Sequence, residues 1–520
     1  MSTPLRIQAT GEPRAVIIGA GVGGLAAAVD LASAGVDVTV VERASAPGGK
    51  LRQVRVGSAL LDAGPTVFTM RDVFAGLFED AGARLEDHLR LRPVERLARH
   101  AWVEGGELDL FADPERSAEA IAAFAGGAEA QRFRAFCARA ADIHRTLDRT
   151  FMHAQRPSAL GLTRRVGVRN LNALRRIRPF TPLWRALGRY FKDPRLRQLY
   201  GRYATYCGSS PFQAPATLML IAHVEGLGVW QLDGGMHQLA QALAGLAERC
   251  GARIRYATEA RAVTTAGGAV SGVELDGGEH LPAEQVIANA DAAAVAEGRL
   301  GAQLRGAVPG QPPRQRSQSA ITWNWVAETE GFPLHHHSVF FSSDYAAEFD
   351  DVFRRGRPPR DPTVYICAQD RHDDQPAAGP ERLLCLINAP ARGDRDPLSD
   401  TEIQQCQQRT LALLERCGLR LRPTADEPAV TTPAAFERLF PATGGALYGM
   451  ASHGWRASFQ RPAAATRVPG LYLAGGSAHP GAGVPMAAIS GRLAAERALA
   501  DLTSAMRSRR AATPGGTSTG

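Results

Sequence analysis

The first clear pattern along the chain is an apolar run, AVIIGAG, that breaks into glycines. An Ala/Leu-rich stretch then runs to a stop at Gly35, and VDVTVVE follows. That order predicts strand, tight turn, helix and strand over Arg14–Arg43. Between 128 and 151, Phe133, Phe136, Cys137, Ala140, Ile143, Leu147 and Phe151 recur at helical spacing, which predicts a helix with one buried face. After Gly234-Gly235 comes another Ala/Leu helix through Cys250, then short strands near 253–256, 260–264, 270–275 and 285–289. From Ala320 the pattern changes to alternation (ITWNWVA, then VFF, TVYICA and RLLCLINA), the mark of strands in a second sheet. Ser399 and Glu402 make a capping box for a helix over 399–417 that Gly418 ends. Near the far end, GLYLAGGSAHPGAGVPMAAISG reads as a strand, a glycine pair and a helix begun near Val484-Pro485.

These elements predict an α/β protein whose chain leaves a nucleotide-binding unit, returns to it, leaves again and finishes there. The expected division is a discontinuous dinucleotide-binding domain of Rossmann type from 14–75, 231–295 and 441–502. A substrate domain of mixed sheet and helices would comprise 76–230 and 296–440. Residues 1–13 read as a loose lead-in and 503–520 as a disordered tail.

At 520 residues, with 45% hydrophobic and 22% charged residues, the chain is ordinary globular material that can bury a large core without disulfides. Seven scattered cysteines without a C-x-x-C pair argue for a reducing compartment and against a zinc or iron–sulfur site. No signal-peptide stretch and no long apolar run appear, so the expected location is cytoplasmic, peripheral on the inner face of the membrane. The net charge of +8 is unevenly placed: thirteen basic residues lie between Arg156 and Arg202 against one acid, Asp193. Leu, Trp and Phe interleave with them, which suits an anionic headgroup boundary; a solvated helix pair with apolar residues packed inward reads the same segment equally well. No nucleic-acid-binding signature accompanies the patch.

Gly19-Ala20-Gly21-Val22-Gly23-Gly24 opens a helix directly after a strand, and Glu42 ends the next strand. Gly19 permits the tight turn, Gly21 lets backbone approach a pyrophosphate, Gly24 lets helix and strand pack, and Glu42 can accept from an adenosine ribose. Pro47-Gly48-Gly49-Lys50 adds a second glycine pair, and the C-terminal strand–glycine–helix element offers contacts from the other chain end. An extended dinucleotide such as FAD uses both ends, whereas NAD in a simple Rossmann domain does not.

The combination of AVIIGAGVGGLAAAVDLASAGVDVTVVE, APGGK, LDAGPTVFT, QLDGGMHQLAQAL, VIANAD, HHSVFFSSDYAAEFDDVF and GLYLAGGSAHPGAGVPMAAISG resembles the carotenoid desaturase family of bacterial phytoene desaturase type. The resemblance runs from about Val16 to Leu499. The ending LAGGSAHPGAGVPMAAISG is most similar to the branch that acts on 1-hydroxycarotenoids at C3–C4. The resemblance implies an amine-oxidase-like flavoprotein with FAD held by Gly19, Gly21, Gly24, Glu42, Arg43, Gly48, Gly49 and Lys50. Gly64, Pro65 and Thr66 would line the flavin side, and Val263 would meet the adenine through its backbone. Asp291 would lie where the chain re-enters the cofactor domain. Gly475, Gly476, Ser477, Val484, Pro485 and Met486 would approach the pyrophosphate, ribityl chain and ring.

Such an enzyme passes a hydride from a C40 polyene to the flavin and loses a proton from the adjacent carbon, so the cofactor carries the difficult step. Tyr448 and His453 are candidates for the substrate side of the flavin, with packed structural roles as the more ordinary reading. His335-His336-His337 invites a metal, but alternation along a strand lets only His335 and His337 converge, so none is expected. No second dinucleotide motif is present, which leaves a quinone or oxygen as electron acceptor. The rivals are an earlier desaturase acting on phytoene or neurosporene, an amine or protoporphyrinogen oxidase, and a flavin-independent prenyl-protein escort of the GDP-dissociation-inhibitor kind.

Overall fold

A computed structural model describes residues 13–155, 180–372, 379–424 and 426–512. Expectations for 1–12, for the basic stretch 156–179 and for 513–520 lie outside the described residues.

Strand β1 (Arg14–Ile18), helix α1 (Val22–Ser33) and strand β2 (Asp37–Val41) form where the pattern places them. β1 pairs in parallel with β2 on one side and with Gln285–Ala288 on the other. Arg253–Arg255 flanks β2 and Leu471–Leu473 flanks Gln285–Ala288, giving five parallel strands drawn from three distant stretches of chain. A parallel sheet needs both faces covered. The long C-terminal helix Val484–Ala512 lies against α1, and the two meet so closely that a Cβ on Gly491 would stand 2.0 Å from Gly23 O. Only glycine allows that approach. This helix corrects the tail expected from 503: Leu502 is buried, Thr503 Oγ1 donates to Leu499 O at 2.8 Å, and the helix continues to Ala512. Once nucleated, each further residue adds a backbone hydrogen bond at little cost.

The second sheet is mixed. Its order is Leu419–Pro423, Ser319–Gly331, Glu381–Ala389, Val364–Ala368, His337–Phe341, Arg96–Trp102 and Glu107–Phe111. The last two strands, which the pattern reading did not include, come from the earlier stretch of chain; His337–Phe341 runs parallel to Arg96–Trp102. Alternation in ITWNWVA separates two buried faces. Ile321, Trp323, Trp325 and Ala327 pack with Leu413 and Leu414 of the Asp400–Arg416 helix, and the two indoles stack at 6.0 Å. Thr322, between Ile321 and Trp323, faces an internal cavity with Leu384, Leu386 and Asn388 of the neighbouring strand. Side chains two apart share a face, so one strand serves core and cavity at once. The capping box is present, Ser399 Oγ accepting from Glu402 N–H while Glu402 accepts from Ser399 N–H. Among the described residues no helix is long and apolar enough to cross a membrane.

Candidate cofactor and substrate cavity

Residues of both sheets line one cavity of about 750 Å³. At one end lies the turn into α1. Gly21 is the extended N-cap of α1, no side chain caps the helix, and its first turn holds no acid. The first-turn N–H groups are therefore free to meet an anion. The glycines are held by clashes: Gly19 has φ +97°, and a Cβ on Gly21 would lie 2.7 Å from Asn289 Nδ2. On Gly24 it would lie 2.2 Å from Gly19 O. Glu42 accepts from Ala20 N–H and Ala44 N–H, each at 2.8 Å, so it braces the glycine turn while lining the cavity. The Gly48-Gly49-Lys50 and Gly64-Pro65-Thr66 segments touch, because a Cβ on Gly64 would fall 1.9 Å from Lys50 O.

Lys50 Nζ donates to Leu447 O at 2.5 Å and stands 5.2 Å over the Phe440 ring. Burial draws its pKa down, and the Asp291 carboxylate opposes that. Asp291 caps the Ala292–Ala296 turn of helix, and Ser477 Oγ accepts from Ala292 N–H at 2.9 Å, which joins the re-entry point to the C-terminal glycines. Arg461, buried, donates to Tyr448 O, Gly476 O and Met450 O at 2.8–3.0 Å. It ties the Tyr448 loop to the same glycines and was missed by the sequence reading, since it sits in no motif.

All the expected cofactor residues line this cavity except Gly24, Val263 and Met486. Gly24 sits behind the turn and packs against Gly19 and Asn289, its side-chain-free surface serving the helix–strand contact. Val263 is fully buried and outside the cavity lining, its N–H given to Leu300 O at 2.9 Å and its C=O accepting from Gln303 Nε2. Ala260 lines the cavity instead. Met486 is half-buried outside the cavity, where Ala487, one step round the helix, replaces it. Asn289, in the quoted VIANAD segment but not singled out, lines the cavity and donates from Nδ2 to Gly19 O at 3.2 Å.

Tyr448 lines the cavity, and burial pushes its pKa up to about 12, so it is a hydrogen-bond donor and not a base. His453 does not reach the cavity. Its Nε2 accepts from Ser210 N–H at 3.0 Å, its ring packs edge-on to Phe353, and burial lowers its pKa to about 4; it is structural. The histidine run departs from strict alternation, because the strand begins only at His337. His336, His337 and Cys367 come together, their ligand atoms within 4.8 Å of one another. Gln231 Nε2 donates to His336 Nδ1 at 3.0 Å and to Arg371 O at 3.1 Å. That leaves the His336 proton on Nε2, which points at Cys367 Sγ 3.7 Å away as an N–H···S contact.

The cavity lining also includes the apolar side chains of Val67, Ile221, Val224, Leu384 and Leu386. A polar cluster lines the cavity around Thr66. Thr66 Oγ1 and Tyr365 Oη are 2.6 Å apart, and Tyr365 Oη meets His337 Nδ1 at 2.8 Å. Arg202 lies 5.2 Å over the Tyr365 ring and 5.3 Å over that of Tyr206. Buried Glu225 accepts from Tyr203 Oη at 2.5 Å and also from Tyr206; burial raises its pKa, and those hydroxyls with Arg202 oppose the rise.

An unencumbered helix N-terminus, glycines that cannot carry a Cβ, a ribose-height carboxylate and a second chain end at the same cavity are the parts of an FAD site. Fold and site together define an FAD-dependent oxidoreductase of the amine-oxidase-like kind. The chain belongs to the flavin-containing amine oxidoreductase family, whose model matches residues 22–499. Within it, the chain groups with the carotenoid desaturases. It is 53% identical to a hydroxyneurosporene desaturase of Rubrivivax gelatinosus, over 100% of this chain and 98% of that one. It is 46% identical to one from Cereibacter sphaeroides, over 95% and 99%. Putrescine oxidase bound to putrescine shares the fold, with TM-score 0.57 at 16% identity over 95% and 99%. The enzyme reading thereby displaces the escort reading.

Proposed function

We propose that this chain introduces a C3–C4 double bond into 1-hydroxy- or 1-methoxy-carotenoids and passes the electrons to a quinone or oxygen. One observation carries the reading: the cavity that holds the glycine turn is also walled by Val67, Ile221, Val224, Leu384 and Leu386, with a hydrogen-bonded polar junction at Thr66 and Tyr365. A polyene fits those walls, and an oxygenated end fits that junction. The relatives' name, hydroxyneurosporene desaturase, supports the same substrate. Bound FAD supplies the hydride acceptor. Val67, Ile221, Val224, Leu384 and Leu386 keep water from the reacting carbons, and Tyr448 Oη stays protonated at the cavity wall.

Purified, flavin-loaded protein incubated separately with 1-hydroxyneurosporene and phytoene is expected to convert the first, with a red shift from one more conjugated double bond, and to leave the second unchanged. Equal conversion of both would make the chain an earlier desaturase of phytoene type.

The C40 substrate resides in a bilayer, and the chain carries thirteen basic residues between Arg156 and Arg202. Phe180, 73% exposed at the edge of that segment, meets Trp455 edge-on, with Arg456 over the indole at 5.1 Å. An exposed Phe on a half-buried Trp beside cations suits a headgroup boundary. The protein is expected to co-sediment with anionic vesicles and to leave them as salt rises, each arginine near the surface contributing about 1 kcal/mol. Equal, salt-independent binding to neutral vesicles would restore the solvated-face reading.

A further inference from the structure

The oxygenated carbon C1 is two bonds from C3, so the substrate's oxygen must sit beside the bond being oxidised and not at the far end of the compartment. A residue that reads the oxygen therefore has to line the cavity next to its cofactor half. Thr66 marks that place, following Gly64 and Pro65, which abut Lys50. Tyr365 is hydrogen-bonded to Thr66, and Arg202 lies on the Tyr365 ring. Arg202 is thus one side chain removed from the loop at the cofactor half.

Arg202 is also unusually open-handed for a cation in such a place. Among the described residues its one hydrogen bond runs from Nη1 to Tyr206 Oη at 3.0 Å. Its remaining N–H groups belong to a side chain that lines the cavity. Two aromatic faces fix the plane of the guanidinium, an attraction that strengthens away from water. Tyr206 donates its own hydroxyl hydrogen bond to the Glu225 carboxylate, so the cation is balanced through a phenol without a carboxylate occupying its donors. Burial works against the Arg202 charge, and the neighbouring Tyr206 and Tyr365 more than offset it. The result is a positioned array of donors, all but one without an acceptor among the described residues, on a side chain that lines the cavity.

Resting on the substrate reading above, we propose that Arg202 is the specificity-determining residue that grips the C1 oxygen of the substrate through its free N–H groups. The chemistry accounts for both end groups. A hydroxyl and a methoxyl each present an oxygen lone pair, whereas only the hydroxyl could satisfy a site built from acceptors. A hydrocarbon end supplies no acceptor and leaves a desolvated guanidinium unpaired, a loss of the kind that gives strong discrimination. The cation also lies on the saturated, oxygen-bearing side of the reacting bond, away from the polyene over which positive charge spreads.

The test compares wild type, Arg202→Met and Arg202→Lys on 1-hydroxyneurosporene, 1-methoxyneurosporene and neurosporene, each with flavin content measured. Arg202→Met is expected to keep its flavin and to lose on the order of 10- to 100-fold in kcat/KM on the two oxygenated substrates, while activity on neurosporene is unchanged or rises. Arg202→Lys, which keeps a donor, should recover part of the loss. A fall of equal size on all three substrates, or a preserved preference in Arg202→Met, overturns the proposal. The substrate reading fails separately, in wild type, if oxygenated and hydrocarbon substrates are converted alike. Should Arg202→Met lose its flavin, Arg202→Lys and Tyr206→Phe supply the comparison: the proposal then requires Tyr206→Phe to keep the preference for oxygenated substrates that Arg202→Lys weakens.

Discussion

Glu42→Arg is expected to yield colourless protein. The carboxylate has two tasks. Its oxygens take the N–H groups of Ala20 and Ala44, which fixes the turn that presents the α1 N-terminus, and the same side chain lines the cavity where a ribose would lie. Each charge-assisted hydrogen bond contributes about 1.5–3 kcal/mol. An arginine cannot accept from either amide and adds its own positive charge to two N–H dipoles. Glu42→Gln is the graded control. It keeps one acceptor oxygen but turns an NH2 toward the other N–H, so FAD should bind roughly tenfold to a hundredfold more weakly. Flavin absorbance per protein, with FAD titration into stripped samples, measures both variants. Full flavin retention in Glu42→Arg would show that neither the turn nor the ribose depends on this carboxylate.

What could be read from the chain divides along the range of the forces involved. The glycine turn is legible because its constraints are local: a strand before it, a helix after it, positive φ at Gly19 and no room for a Cβ at Gly21 or Gly24. The Ser399–Glu402 cap is legible for the same reason. Errors arise where one residue of phase matters. The register shift between Ala260 and Ala262 brings Ala260 and Val263 to one face of their strand, where Val263 is taken into the core and the partly buried Ala260 reaches the cavity. One position along the C-terminal helix swings a side chain by a large part of a turn, which separates Ala487 from Met486. The histidine run was read as strand, yet its strand starts at its last member. Arg202, Tyr206, Glu225 and Tyr365 were invisible for a deeper reason. Arg202 and Tyr206 share one short helical turn, but Glu225 and Tyr365 come from other elements, none carries a motif, and only tertiary packing brings them beside Thr66.

Stability should fall as pH rises through a carboxylate buried under the cavity wall. Glu348 is 1% exposed and accepts from Thr363 Oγ1 at 2.6 Å, Thr363 N–H at 3.2 Å and Asn388 Nδ2 at 2.8 Å. Burial raises its pKa from 4.5 to about 7, more than those donors offset. Between the two values the folded protein holds a proton that the unfolded chain has released, so unfolding becomes easier with each step upward in pH. The accumulated cost at pH 8 is about 3 kcal/mol, at about 1.4 kcal/mol per pKa unit. His100 and His336, both drawn to about 4 chiefly by burial, act in the opposite sense: their folded forms refuse a proton below the ordinary imidazole range, which favours higher pH. The wild-type curve therefore mixes opposing slopes, and a single-site difference isolates Glu348. Whatever constant offset Glu348→Gln introduces, its stability relative to wild type should grow by about 3 kcal/mol between pH 4.5 and 8 in denaturant titrations. A difference that stays flat over that range would mean that Glu348 ionises in the folded protein as it does in the unfolded chain. Because Thr363 and Asn388 also line the cavity, the same proton should alter substrate KM over the same range.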